Sequence, residues 1–241
     1  MRKNSGKIMF VFMAMALMVM ACFSTSHAAY AYEYTNLNDM SKVSYEDPWN
    51  IDPTNVAGNQ VISSSSTISS PTFGPTRSFG YVTGNNGDGD ANTIFNDGTD
   101  VKYITWHTAQ PIRLTGVNLF ASLDWNSGNP GRAISNFSLF YSLDQGATWT
   151  AIVDNFATNV GQSQQGAYSV VGETSRGMAA NFTFDPVTAS YFKAEFTQFD
   201  KSGARVCELD AIGSAVPLPG AVWLLGSGLL SLAGWRRLRK G

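Results

Sequence analysis

The sequence predicts an all-β domain, a β-sandwich, over residues 77–213. Apolar and polar residues alternate along short stretches of this region, as expected of strands with one buried face. Clusters of Gly, Asn and Asp separate those stretches at regular intervals. No stretch between the two apolar ends of the chain has a convincing 3.6-residue hydrophobic period, which argues against helices.

Eight segments have the composition of strands. In the segment 112–121, apolar residues alternate on either side of Gly116, which marks a candidate β-bulge. Phe137, Leu139 and Tyr141 alternate in the same way. The predicted strands are 79–83, 102–107, 112–121, 134–142, 148–153, 179–184, 190–197 and 205–212.

A hairpin is predicted between residues 141 and 150. Asp144 can accept hydrogen bonds from turn amides, and Gly146 can adopt a positive φ. The string Ser142-x-Asp144-x-Gly146-x-Thr148-Trp149 resembles the Asp-box of sialidase-type propellers. Because a propeller repeats that unit and this chain contains it once, we expect a structural turn.

The N-terminal residues have the features of an export signal. Basic residues precede the apolar run 8–21, and small residues follow it, so residues 1–28 are predicted to be a cleaved signal peptide. An alternative is acylation of Cys22 within a weak lipobox, Val19–Cys22. Residues 29–76 are polar and interrupted by prolines, and we expect a leader or linker with at most one edge strand. Their composition leaves open whether they pack on the sandwich.

The C-terminal segment 214–241 has the features of a membrane-spanning sorting signal. Residues 216–235 are uncharged and would extend about 30 Å as a helix, the thickness of a hydrocarbon core. Residues 236–241 include four Lys or Arg, which would stay in the cytoplasm.

The motif Val216-Pro217-Leu218-Pro219, the apolar span and Arg236-Arg237 together resemble a PEP-CTERM sorting signal. The resemblance implies a bacterial precursor exported by the Sec machinery, anchored in the inner membrane and processed by an exosortase. The product is expected at the cell surface or in the exopolysaccharide matrix.

Charge and cysteine content restrict the function of the exported part. All 18 acids but only nine of the 16 bases lie between Glu33 and Asp210, which gives this part a net charge near −9. Such a charge disfavours nucleic acids and anionic membrane surfaces, and suits neutral ligands or divalent cations. Cys207 would be the only cysteine after signal cleavage, so we expect a buried thiol and no disulfide.

Four motifs follow one another along the chain in a fixed order. They are Asp97-Gly98 before Trp106, the hairpin Tyr141–Trp149, and the segments 184–196 and 205–213. Together they resemble the discoidin, or coagulation-factor type C, family over residues 92–213. The resemblance implies a galactose-binding-like jelly roll. The sequence departs from the family pattern in two ways. The segment between Asp97 and Trp106 is longer, and the sequence lacks the disulfide that joins the termini of many secreted relatives.

The same resemblance implies a structural calcium ion that joins the Asp-Gly loop to the last strand. The matching ligands are Asp97, Asp100 and Glu208, with backbone carbonyls near Asp100. A second candidate is Asp88 with Asp90, which resembles the start of an EF-hand loop but lacks its later Gly and Glu.

Catalysis is not expected. His107 is the only histidine of the mature chain, and no motif places a nucleophile beside it. No nucleotide-binding loop or metalloprotease motif is present. A carboxylate-based glycan-processing enzyme is the weakest of three alternatives, because any acid-rich domain offers some pair of carboxylates.

A ligand site is predicted in the loop 123–132. Trp125 lies there among turn-forming residues, and a flat ring with polar neighbours suits a sugar. The alternative is that Trp125 folds back over the sandwich end. Trp106 and Trp149 are expected in the core. We therefore expect a non-catalytic carbohydrate-binding module, or else a structural matrix protein that binds other proteins. The predicted ligand-binding residues are Asp124, Trp125, Asn126, Asn129 and Arg132.

Overall fold

Two antiparallel strands of more than 20 residues, β4 (Lys102–Ser122) and β7 (Gly177–Gln198), organise the fold. They pair along almost their whole length, with a shift of register between His107 and Ile112. The computed structural model describes residues 29–35, 47–52, 54–68, 73–80, 93–122, 132–158, 177–199 and 201–216. None of these described residues forms a helix long and apolar enough to cross a membrane.

The shift of register divides the strands into two β-layers. The first layer pairs β2 (Gln60–Ser64) with the start of β4, and β5 (Ile134–Ser142) with the end of β7. The strand β6 (Thr150–Ala157) completes that layer beside β5. Around the other halves of β4 and β7, the second layer adds the remaining three strands, which are β1 (Tyr30–Thr35), β3 (Thr93–Ile94) and β8 (Arg205–Ala215).

The core lies between these layers. Phe137 of β5 and Phe156 of β6 contact Phe182, which lies on the other half of β7, at ring-centroid distances of 5.4 and 4.9 Å. All three rings are buried. Strict alternation places such residues on the inner side of each layer. The predicted all-β sandwich is therefore confirmed.

The observed strands differ from the predicted ones in several ways, and β1, β2 and β3 were not predicted. The segments 102–107 and 112–121 form one strand, as do 179–184 and 190–197. The strand β6 begins two residues later than predicted. The strand predicted from Phe79 is wrong at its start, because Pro75–Ser78 forms a 3-10 turn and Gly80 has a φ of 67°. Residues 81–83 of that prediction lie outside the described residues.

The described residues between 29 and 76 pack on the sandwich, and they form two strands where at most one was expected. The strands β1 and β2 belong to its layers, and Trp49 and Ile51 lie in its core. Trp49 packs edge-on against Trp106 with a centroid distance of 4.9 Å. The question that the polar composition left open is thereby answered. Cys207 is half-buried on β8 and forms no disulfide.

Candidate functional sites

The loop Asn96–Asp100 is held by cationic and amide groups. Asp97 Oδ1 accepts a hydrogen bond from the Gly203 N–H at 3.0 Å and lies 3.4 Å from Arg132 Nη1. Asp100 Oδ1 pairs with the Lys102 ammonium at 2.9 Å, and this interaction lowers the pKa of Asp100. The two predicted calcium ligands of this loop thus already have positively charged partners.

The backbone carbonyls predicted to complete that calcium site are also used within the protein. Gln198 Nε2 donates to the carbonyls of Gly98 and Asp100. Among the described residues, no three Asp, Glu, His or Cys side chains form a group that could hold a metal ion. The structure therefore does not join Asp97, Asp100 and Glu208 in one site. Asp88 and Asp90 lie outside the described residues.

Glu208 lies instead among other acids, in a group that we call the acid cluster: Asp47, Glu208 and Asp210. All three side chains are buried, with Asp210 only 1% exposed. Burial raises the pKa of Glu208 well above its ordinary value, and the nearby Asp210 and Asp47 raise it further. The cluster joins β8 to the segment that precedes β2.

Asp47 has one oxygen bound and one without a partner. Its Oδ1 accepts hydrogen bonds from the backbone N–H groups of Trp49 at 2.8 Å and Ala211 at 2.9 Å. Its buried Oδ2 has no hydrogen-bond partner. Burial raises the pKa of Asp47 to about 6, and the two backbone hydrogen bonds oppose that rise. The Asp47 carboxylate thus satisfies a backbone N–H at the edge of β8.

Beside Gly80, two further oxygens converge. A Cβ atom at Gly80 would lie 2.6 Å from Asn50 Oδ1 and 3.4 Å from Glu208 Oε1, so both oxygens point at the same space beside this backbone. Gly80 has the positive φ that favours glycine. The backbone N–H of Gly80 interacts with the Glu208 carboxyl and opposes the rise of its pKa, whereas its buried Oε1 has no hydrogen-bond partner.

Most of the predicted sugar-binding loop cannot be placed. Asp124, Trp125, Asn126 and Asn129 lie outside the described residues. Arg132 is described, and its Nη1 donates to the Gly203 carbonyl at 3.0 Å. With its side chain 17% exposed, Arg132 ties the end of that loop to the residues around Gly203.

The outer side of the first layer carries a row of aromatic side chains. We call this surface the aromatic face: Tyr103, His107, Phe140, Trp149 and Tyr191, with Lys193 and Glu195 between them. Each of these side chains is half-buried. The pairings His107 with Tyr191, Tyr103 with Glu195 and Phe140 with Lys193 place their members side by side on neighbouring strands.

Polar and ring groups are fixed together on the aromatic face. The Lys193 ammonium lies 4.5 Å from the centroid of Phe140 and 5.3 Å from that of Trp149. It also pairs with Glu195 Oε1 at 2.8 Å. The rings of His107 and Tyr191 are 5.8 Å apart. Trp149 was expected in the core, and that expectation is wrong because the ring lies on the outer side of the layer.

The turn after β5 positions Trp149. Asp144 accepts hydrogen bonds from the Ser142 hydroxyl at 2.7 Å and from the Thr148 hydroxyl at 2.6 Å. These bonds lower the pKa of Asp144 to about 2. Gly146 has a φ of 90°, and a Cβ atom there would lie 3.3 Å from the Trp149 ring. The Asp-box string is thus a structural turn, as predicted, and its glycine packs under the tryptophan.

Sequence reasoning missed most of the aromatic face. The available signal was the presence of aromatic residues at the polar positions of an alternating strand, as at Tyr191 beside the core residue Phe192. It also missed Asp47, because 164 positions separate this residue from its partner Ala211. No local pattern reports a contact over that distance.

The predicted sorting motif begins at the end of the described chain. The Val216 N–H donates to the Pro111 carbonyl at 2.8 Å, which continues the pairing of β8 with β4. Pro217, Leu218, Pro219, Arg236 and Arg237 lie outside the described residues, as do the signal peptide and the apolar span.

No protein-family model matches the sequence, and no curated protein is similar to it. Several solved structures are similar to this chain. The C-terminal domain of a chitobiase from Bacteroides fragilis is 17% identical and has a TM-score of 0.45, with 66% of this chain and 96% of that chain covered. A chitosan-binding module from a chitosanase/glucanase of Paenibacillus sp. IK-5 is 16% identical with a TM-score of 0.42, covering 65% and 96%.

A family 32 carbohydrate-binding module of EndoD from Streptococcus pneumoniae is 14% identical, with a TM-score of 0.40 and coverage of 65% and 97%. At these identities and scores the likenesses assign no ligand to this chain.

Proposed function

We propose that this chain is an exported, non-catalytic carbohydrate-binding protein, and that its aromatic face binds the sugar rings of a polysaccharide. The observation that carries the proposal is the partial exposure of Trp149, Tyr191 and Phe140 on one side of a layer whose inner side already has its own aromatic residues. Rings on this outer side do not join the core between the two layers, so their grouping on one surface favours a binding role.

The chemistry of the aromatic face suits a sugar. A pyranose ring offers C–H groups on its faces and hydroxyls around its edge. Flat aromatic rings contact the former, and fixed polar groups bond to the latter. The ion pair of Lys193 with Glu195 lies between the rings and supplies a donor and an acceptor at fixed positions. A neutral polymer also suits the acidic exported part, because it is not repelled by a net charge near −9.

The proposal also includes export and sorting of the protein, which rest on the sequences of its two termini. The N-terminal run and basic residues favour export by the Sec machinery, and the C-terminal Pro-x-Pro motif, apolar span and basic tail favour sorting by an exosortase. The protein would begin as a membrane-anchored precursor and end at the cell surface or in the exopolysaccharide. The galactose-binding-like jelly roll and the contribution of the loop 123–132, including Trp125, belong to the same proposal.

Binding to the producer's own exopolysaccharide tests the function. The full-length protein is compared with Trp149→Ala, Tyr191→Ala and Trp125→Ala by affinity electrophoresis in gels that contain the polysaccharide. Leu143→Ala is the matched control, because Leu143 is a 77% exposed apolar residue at the tip of the same hairpin. We expect retardation of the wild type and of Leu143→Ala, and its loss in Trp149→Ala and Tyr191→Ala.

Two results would count against the proposal. Loss of retardation in Trp125→Ala alone would move the site to the loop 123–132. No retardation of the wild type by any polysaccharide, with recovery of protein partners from polysaccharide-free extract, would favour the alternative of a matrix protein.

A further inference from the structure

The resemblance to the discoidin family implies a calcium ion at the loop Asn96–Asp100, and the loop itself shows whether such an ion fits. The oxygens it offers include Oδ1 of Asp97, Oδ1 of Asp100 and the backbone carbonyls of Gly98 and Asp100. Each of these oxygens already accepts a hydrogen bond or an ion pair from another group of the protein. A calcium ion needs six to eight oxygens and would have to displace these donors. The residues present therefore do not fit the implied ion.

We propose that Lys102 and Arg132 take the place of that calcium ion, so that the protein's own cations hold the loop without a metal. Two carboxylates are matched by two cationic side chains. Lys102 Nζ lies 2.9 Å from Asp100 Oδ1, and Arg132 Nη1 lies 3.4 Å from Asp97 Oδ1. The charge that calcium would neutralise is thus already compensated. This proposal is independent of the aromatic face and goes beyond the proposed function.

The burial of Lys102 is the strongest support for this substitution. Its side chain is only 4% exposed, and a buried ammonium costs free energy unless an acceptor is paired with it. A Cβ atom at Gly98 would lie 2.5 Å from Asp100 Oδ1 and 3.1 Å from Lys102 Nζ. The ion pair therefore fills the space beside the Gly98 backbone. A divalent cation placed there would be repelled by the ammonium at short range.

Neutral donors complete the attachment of the loop. The Gln198 side-chain amide donates to the carbonyls of Gly98 and Asp100, which are the backbone oxygens expected to bind calcium. Arg132 Nη1 also donates to the Gly203 carbonyl at 3.0 Å. These bonds join the loop to the end of β7 and to the residues that precede β8. The protein thus makes with side chains the connection between segments that a shared ion would make.

The third implied ligand, Glu208, is engaged elsewhere. Its Oε1 lies 3.4 Å from the position that a Cβ atom would take at Gly80, and the Gly80 N–H interacts with the same carboxyl. Within the part of the chain that the structure describes, no three acidic, histidine or cysteine side chains form a metal-binding group. The difference from the family pattern therefore extends to all three implied side-chain ligands.

Thermal unfolding of the full-length protein, in calcium and in chelator, tests this proposal through Asp100→Ala. If Asp100 is the partner of Lys102, its removal should lower the Tm by about 2–4 °C, and by the same amount in both conditions. If Asp100 bound calcium, its removal would lower the Tm only in calcium, because an ion stabilises only a form that binds it. Asp185→Ala is the matched control: Asp185 is an exposed carboxylate on β7, and its removal should leave the Tm unchanged in both conditions.

A double-mutant cycle of Lys102→Met and Asp100→Ala, carried out in chelator, measures the ion pair itself. The double variant should be less destabilised than the sum of the two single variants, because each single change already breaks the pair. Additive effects in chelator would overturn the proposal, since they would show that the two side chains do not interact. A calcium-dependent rise in the Tm of the wild type that is lost in Asp100→Ala would also overturn it. If Lys102→Met does not fold, the comparison of Asp100→Ala in the two conditions still decides.

Discussion

The two sides of the first β-layer use aromatic residues differently. On the inner side, Trp106 stacks on Phe192 at 5.8 Å and meets Trp49 at 4.9 Å, and all three are fully buried. On the outer side, His107 and Tyr191 are their immediate neighbours in sequence and remain half-exposed. The inner rings are explained by folding alone. The outer rings are not, and that difference directs attention to binding.

The largest expected effect comes from the inner side. Trp106→Ala would leave a cavity between Trp49, Phe79 and Phe192, and should destabilise the protein by about 3–5 kcal/mol. Denaturant unfolding measures this loss. Trp106→Phe is the control, and it should cost less because the buried Trp106 Nε1 has no hydrogen-bond partner to lose. A loss of less than about 1 kcal/mol in Trp106→Ala would show that the site is not tightly packed.

Trp149→Ala should give the opposite profile. We expect its free energy of unfolding to fall by about 1 kcal/mol or less, as for a half-exposed side chain, while polysaccharide affinity falls about tenfold. Unfolding and affinity electrophoresis on the same sample separate the two quantities. A fall of several kcal/mol in the free energy of unfolding with unchanged affinity would show that Trp149 stabilises the fold and does not bind the polysaccharide.

Asp144→Ala tests whether the turn after β5 positions Trp149 on the outer side of the layer. It removes the acceptor for Ser142 and Thr148, so Tm should fall slightly and affinity should fall less than in Trp149→Ala. Thr148→Val removes only one of these hydrogen bonds and should have a smaller effect than Asp144→Ala. The reverse order would mean that the turn does not depend on the Asp144 carboxylate.

The pH dependence of the same turn follows from the lowered pKa of Asp144. Because its folded pKa is about 2 against an ordinary 3.8, its stabilisation is complete above about pH 4 and is lost as pH falls through about 2. Carboxyl NMR titration should give this low pKa directly. A midpoint near 3.8 would mean that the hydrogen bonds to Ser142 and Thr148 do not persist in solution.

The smallest effect is expected at Lys193. Lys193→Met keeps the aliphatic stem between the rings and removes the charge, so stability should change by less than about 1 kcal/mol, as for a partly exposed ion pair. Affinity should fall two- to threefold, because one fixed donor is lost. A change in stability larger than that of Trp106→Ala would contradict the contrast between the two sides.

The parts of the fold set by local alternation could be predicted. Strand β5 (Ile134–Ser142) was bounded correctly from the alternation of Phe137, Leu139 and Tyr141 with polar or smaller neighbours, although the strand contains irregularities of register that this pattern does not report. The side of the first layer on which Trp149 lies could not be predicted, because aromatic residues occupy both sides of these strands. The geometry of the turn decides between the two sides. A contact that the sequence can suggest is the pair of Asp100 with Lys102, because the two residues are only two positions apart at the start of β4.

The partners of Glu208 were beyond such reasoning. Glu208 was selected as a calcium ligand through the family resemblance, yet the structure gives it Asp47 and Asn50 as neighbours, from a segment that the composition suggested was a linker. Contacts of this kind depend on how the segment before β2 packs along the β8 edge. The packing of Trp49 in the core and the hydrogen bond between the Ala211 N–H and Asp47 fix that arrangement.

Quantitative binding of the producer's exopolysaccharide to the wild type and to the double variant Trp149→Ala/Tyr191→Ala tests the central claim most directly. Both proteins are first shown to unfold with similar midpoints. We predict saturable binding by the wild type and at least a tenfold weaker affinity of the double variant. Equal affinities of the two folded proteins would show that the aromatic face does not bind the polysaccharide.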